Sequence, residues 1–119
     1  MTEASPSGPS GHVQLGAIEL AEYPTPDGAP MSVVRLAIAA GAVHDWTGAR
    51  RSWRLYQIVS GELIFHLGGQ DVAAIAGHVV FIPPGTRYRY ENHSADLTDV
   101  FLCTSPAFDP ADELPATKS

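Results

Sequence analysis

Six side chains could share one chemistry if the fold brings them together: Arg54, Tyr56, Tyr88, Tyr90, His44 and Trp46. A guanidinium is permanently charged and carries only donors, so Arg54 suits a carboxylate, phosphate or enolate held by its planar fork. An internal ion pair with Glu62, Glu91 or Asp99 would neutralise it equally well. Tyrosine offers a flat apolar wall with one hydroxyl, and it can move a proton if a neighbouring cation lowers its pKa. Alternate residues of a strand share a face, which puts Tyr56 and Ile58 with Arg54, and Tyr90 with Tyr88. Tyr56 and Tyr90 can equally be core aromatics with satisfied hydroxyls. His44, beside Asp45 and Trp46, is a candidate base or displaced metal ligand, or else a solvated loop residue. Trp46 and Trp53 could cover a cavity mouth or pack a dimer. His66 lies on a strand, and with His44 and one tyrosine it could form a nonstandard metal site, although the spacing matches no strong metal pattern.

The elements that must position these groups read as strands and turns. Val13 to Glu22 is a weak strand candidate, and Tyr23-Pro24-Thr25-Pro26-Asp27-Gly28 is turn chemistry. Met31 to Ala39 is a β-branched apolar run. Trp53 to Val59 is a strand that Ser60-Gly61-Glu62 turns into Leu63 to Leu67, and Gly68-Gly69-Gln70 turns again. Val79 to Ile82 is short and apolar and ends at Pro83-Pro84-Gly85; Arg87 to Glu91 alternates, and Leu97 to Thr104 closes the series. Short strands at this spacing indicate an antiparallel sandwich or barrel over residues 13–110, with flexible tails over 1–12 and 111–119. No stretch sustains a helical period long enough for a major helix, so a helix-turn-helix reader of DNA is not expected on this chain.

One frame is more specific. Gly77 is followed by five residues, then Pro83, Pro84, Gly85, two residues, Tyr88, three residues and Asn92. It resembles the second signature of the cupin superfamily, with tyrosine at the position of the histidine. Gly41 and Gly61 fit the ends of the first signature, and counting back from Gly61 puts Arg54 where that signature has a glutamate. The two histidine positions of the signature become Thr47 and Ala49, or Gly48 and Arg50 with the shorter spacing. The resemblance covers Met31 to Pro110. It implies an all-β, single-domain jelly-roll barrel (a double-stranded β-helix) with Arg54 and Tyr88 pointing inward. Cupins typically hold a divalent ion with three histidines and a glutamate, and none of those ligands survives here. A guanidinium at the old ligand position repels a metal ion, at about 4 kcal/mol for two like charges 4 Å apart at an effective dielectric of 20. No cofactor and no metal are therefore expected.

Composition narrows the partners. The net charge of −6 disfavours nonspecific binding to nucleic acid or to anionic membranes. No segment approaches the roughly 20 apolar residues of a membrane span, and the Ser/Pro/Gly-rich start has no signal-peptide core, so a cytoplasmic location is expected. Cys103 is the single cysteine, which rules out an intrachain disulfide. The first functional expectation is a barrel that binds a small anionic or aromatic metabolite without metal. The second is a cofactor-independent isomerase, lyase or cyclase, with Arg54 stabilising an oxyanion and Tyr88 moving a proton. A metalloenzyme with nonstandard histidine ligands is a third, and a sensory domain like the ligand-binding arm of AraC-type regulators a fourth. The sequence does not decide whether the chain is an enzyme. By family analogy a homodimer is expected, through an edge strand or an outer sheet face.

Overall fold

The computed structural model describes residues 8–115. Among these residues ten strands form two antiparallel sheets that face each other as a jelly roll: β1 (Gly11–Leu15), β2 (Ile18–Glu22), β3 (Ser32–Ile38), β4 (Val43–Thr47), β5 (Trp53–Ser60), β6 (Glu62–Leu67), β7 (Gln70–Ile75), β8 (Val79–Ile82), β9 (Tyr88–Glu91) and β10 (Thr98–Ser105). One sheet runs β1-β2-β3-β10-β5-β8 and the other β4-β9-β6-β7. Among the described residues no helix is long and apolar enough to cross a membrane.

Period-two alternation builds the interior. On β5, Arg54, Tyr56 and Ile58 are buried; on β6, Leu63 and Phe65; on β9, Tyr88 and Tyr90; on β10, Val100. Together with Ile38, Val80 and Ile82 these side chains form one core between the sheets.

The signature residues are structural. The Asn92 side chain is fully buried, and its amide donates to the carbonyls of Ile38 (2.9 Å) and Asp96 (2.8 Å), tying the end of β9 to the end of β3. Gly61 turns β5 into β6 at φ +87°, and a Cβ there would lie 2.4 Å from Thr98 Oγ1. That hydroxyl donates to the Glu62 carbonyl (2.8 Å) and accepts from its N–H (3.0 Å), so only glycine fits the turn.

Four features depart from the sequence reading. The weak strand over Val13–Glu22 is a hairpin, turned at Gly16 and Ala17, and its first strand begins inside the segment read as an N-terminal tail. Two strands escape the sequence reading because apolar and polar residues do not alternate along them, β7 with its Val72-Ala73-Ala74-Ile75 run and the polar β4. Register shifts between His44 and Thr47 where β4 meets β9, so these two point inward while Trp46 turns to the outer face, against Arg89. Finally, residues 110–114 are no loose tail. Pro110–Asp112 form a 3₁₀ turn capped by Asp109, Glu113 pairs with Ala49, and Leu114 N–H donates to the Gly48 carbonyl (2.9 Å). The rest of both expected tails, residues 1–7 and 116–119, lies outside the described residues.

Candidate functional site

Between the sheets lies an open cavity of about 530 Å³. Leu15, Leu20, Val34, Leu102 and Phe108 make one part of its wall apolar. His44, Thr47, Arg54, Tyr56, Tyr90 and Glu113 make another part polar. An apolar cavity with a few converging polar groups is the usual form of a small-molecule site.

Arg54 organises the polar end. It is 5% exposed, and Nη1 donates to Tyr88 Oη (3.1 Å) and Thr47 Oγ1 (3.3 Å). Nη2 donates to Glu113 Oε1, and Glu113 Oε2 accepts from Thr47 Oγ1 at 3.0 Å. Arg54 Nε is buried and has no acceptor among the described residues. A buried donor without a partner is costly, which makes it a natural place for a ligand oxygen.

The counterion is Glu113, which was not among the expected partners. Glu62 is exposed, Glu91 faces outward to His66, His93 and Arg89, and Asp99 pairs with Arg35 on the outer face of the larger sheet. Glu113 lies 59 residues from Arg54, past the last strand. The one local sign of order there is Asp109-Pro110, a helix-capping pair.

Tyr56, Tyr88 and Tyr90 are buried and pack edge-on or tilted around Phe65. Tyr88 does not line the cavity. It sits behind the wall, bonded to Arg54 and, at 2.5 Å, to Tyr56 Oη. Burial pushes the Tyr88 hydroxyl above its usual value although Arg54 pulls it down, and burial raises Tyr56 and Tyr90 as well. All three are therefore neutral donors, and the expected lowering of a tyrosine pKa by the neighbouring cation is overridden by desolvation.

His44 reaches the cavity, stacked on Tyr90 with ring centroids 5.0 Å apart. Its Nδ1 lies 2.7 Å from the Asp45 carbonyl, which can only accept. Nδ1 therefore carries a proton, and Nε2 is the ring nitrogen turned to other partners. Trp46 is excluded from this cavity by the β4 shift and lines a separate groove on the outer face with His66 and Arg89.

A metal site does not fit these residues. A charged guanidinium occupies the ligand end and its carboxylate partner is already engaged. His44 faces the cavity while His66 lies on the opposite face of the smaller sheet, bonded to Asp71 (2.6 Å) and Glu91 (2.9 Å), so the two cannot share an ion. Among the described residues no cluster of three or more histidine, cysteine or acidic side chains is placed to hold one.

Known proteins carry the same barrel. Residues 35–104 match the family model described as Cupin domain. No curated protein matches the chain. A Streptomyces Pac13 variant with one histidine replaced, solved with uridine, is 30% identical; the match covers 88% of this chain and 82% of that one at a TM-score of 0.76. Pac13, described as a unique nucleoside dehydratase, matches at 27% identity over 96% of this chain and 90% of that one, TM-score 0.78. KdgF from Halomonas sp. matches at 18% identity over 86% and 91% of the two chains, TM-score 0.73, a likeness of fold. With most of its barrel inside the matched region and its sheets superposing on these structures, the chain belongs to the cupin domain family.

Proposed function

We propose that the barrel takes up an uncharged, ring-bearing hydroxylated molecule of nucleoside type and eliminates water from it without a metal. The observation that carries this reading is the pairing, on the wall of one cavity, of the His44 imidazole, whose Nδ1 is held by the Asp45 carbonyl, with Arg54, whose buried Nε–H lacks an acceptor. The likeness to Pac13 at 27–30% identity supports it. An aromatic wall of Tyr56 and Tyr90 suits a flat base, and the apolar side suits the rest of the ring system.

The chemistry follows from those two groups. A base of ordinary strength can remove a carbon-bound proton only where an adjacent carbonyl acidifies it. His44 Nε2 takes that proton, and the electron pair moves toward the carbonyl oxygen. The developing negative charge is met by Arg54, whose Nε–H donates to it. The pair then returns to form a carbon–carbon double bond as the β-hydroxyl leaves. The imidazolium gives its proton to that hydroxyl, which departs as water, and His44 is restored. Tyr88 accepts from Arg54 and shares a hydrogen bond with the Tyr56 hydroxyl, so the two tyrosines hold the guanidinium in place.

The test uses uridine and uridines oxidised to a carbonyl at the 3′ or 5′ carbon, each of which keeps a hydroxyl β to that carbonyl. Uridine should raise the melting temperature, and at least one oxidised form should lose the mass of one water. His44→Gln should keep the shift and lower turnover by about 100-fold or more, the usual contribution of a proton-transfer group. A shift without turnover by any substrate reduces the reading to a binding barrel. No shift and no turnover ends it.

A further inference from the structure

The charge already present in the cavity determines which ligands can enter. Its fixed charges are Arg54, Glu113 and, at the mouth, Glu22, so the lining is net negative although it contains an arginine. Most of the arginine fork is also engaged. Nη2 is engaged by Glu113, and Nη1 by Tyr88 and Thr47. Phosphate and carboxylate are recognised by two parallel N–H donors, whereas the unpartnered Nε–H of Arg54 can serve one oxygen of a carbonyl or hydroxyl.

Glu113 is a built part of the site. Its neighbour Asp112 is 5% exposed and accepts from Ser52 Oγ (2.8 Å), Ser52 N–H (3.1 Å) and Arg51 N–H (2.9 Å). The Asp112 carbonyl accepts from Arg50 N–H at 2.8 Å, and Leu114 on the other side is bonded to Gly48. Gly48 allows that approach: a Cβ there would lie 2.5 Å from the Thr86 carbonyl oxygen and 2.9 Å from Leu114 Cδ1. Both flanks of Glu113 are thus pinned to the β4–β5 connection, and its carboxylate is aimed at Arg54.

We propose that Glu113 is the specificity determinant of the cavity: by occupying Arg54 it admits uncharged ligands and rejects their phosphorylated or carboxylated counterparts. This rests on the reading of the barrel as a nucleoside-type site, and it adds that nucleosides, not nucleotides, are the substrate class. Without Glu113 the guanidinium fork is released in a buried setting, and an anion becomes its best partner.

Glu113→Gln removes the charge and keeps the shape. Titrations of the full chain with inorganic phosphate, against chloride at equal ionic strength, should show phosphate binding at least about tenfold tighter in Glu113→Gln than in the unmodified protein. The double variant Arg54→Gln/Glu113→Gln should lose that gain. A Glu113→Gln chain that folds only when phosphate is present supports the proposal, and one that phosphate fails to rescue overturns it. Equal phosphate affinity in the single variant and the unmodified protein also overturns it, as does a gain that persists in the double variant. A parallel comparison of uridine with uridine 5′-monophosphate should favour uridine by at least tenfold in the unmodified protein and narrow in Glu113→Gln. If neither nucleoside form binds, the nucleoside reading fails and the phosphate comparison still decides the role of Glu113.

Discussion

Burial decides what the tyrosines around Arg54 can do. Desolvation holds Tyr56, Tyr88 and Tyr90 in the neutral form, so each offers a hydroxyl and an aromatic face. Tyr88→Phe deletes one of the two acceptors of Arg54 Nη1 and the partner of Tyr56 Oη. One lost buried hydrogen bond with a partner left unsatisfied costs about 1–3 kcal/mol, so urea unfolding should show a loss of that order. Turnover should fall far less than in His44→Gln, because Tyr88 acts through Arg54 and Tyr56. On the outer face, Glu91 first and Asp71 second hold the His66 imidazole above its ordinary value. The folded chain thus binds this proton more tightly than the unfolded chain. The stabilisation is complete below the unfolded value of about 6.5 and is lost as pH rises through the raised folded value. Melting temperature should fall between about pH 6 and 9 more steeply in the unmodified protein than in His66→Gln. The face of Arg54, Tyr56, Tyr88 and Tyr90 was legible because strand parity needs no tertiary knowledge. The partner of Arg54 was not, because an ion pair across 59 residues depends on where the chain returns, which no local pattern encodes.

The segment from Asp109 to Leu114 is the element on which selectivity depends. It presents no apolar periodicity, so the sequence reading ends the barrel at residue 110, inside this segment, yet polar anchors hold the rest of it in place. The same limit hid β4 and β7, whose apolar and polar residue types do not alternate in the way an amphipathic strand should. It also hid the register shift that brings His44 in and turns Trp46 out. Asp112→Asn should weaken the anchor, since the Ser52 hydroxyl and the Arg51 and Ser52 N–H groups bond best to a carboxylate. These bonds, that of the Ser52 hydroxyl foremost, hold the Asp112 carboxyl below its usual range. Its stabilisation is therefore present above the unfolded value of about 3.9 and is lost as pH falls through the lowered folded value. At neutral pH, Asp112→Asn should lower the melting temperature. It should also narrow the preference for uridine over uridine 5′-monophosphate in the same direction as Glu113→Gln. Destabilisation with the preference intact would confine Asp112 to holding the fold.

At the scale of the whole molecule, the barrel was readable because its punctuation is unusually complete: Gly61, Gly77, Gly85 and the buried Asn92 each occupy a position that few other residues can fill. Function was less readable, since replacing the metal ligands states what the cavity lacks and leaves open what balances Arg54. The expectation of a second copy bears on the outer face of the larger sheet. There Trp53 and Val59 of β5 lie beside Val79 and Phe81 of β8, all between 43% and 59% exposed, and β8 is an unpaired edge. At about 4.8 Å between strands and 3.4 Å per residue, the face of β3, β10, β5 and β8 covers on the order of 500 Å². A two-fold pairing of that face would bury about 1,000 Å² in all, near the lower bound for a specific interface. Light scattering on the purified chain should give the mass of two copies, and Phe81→Asp should shift it to one, because a carboxylate buried in an apolar contact is desolvated without a partner. A single-chain mass for the unmodified protein rejects the dimer, and an unchanged two-chain mass in Phe81→Asp moves the interface off this face.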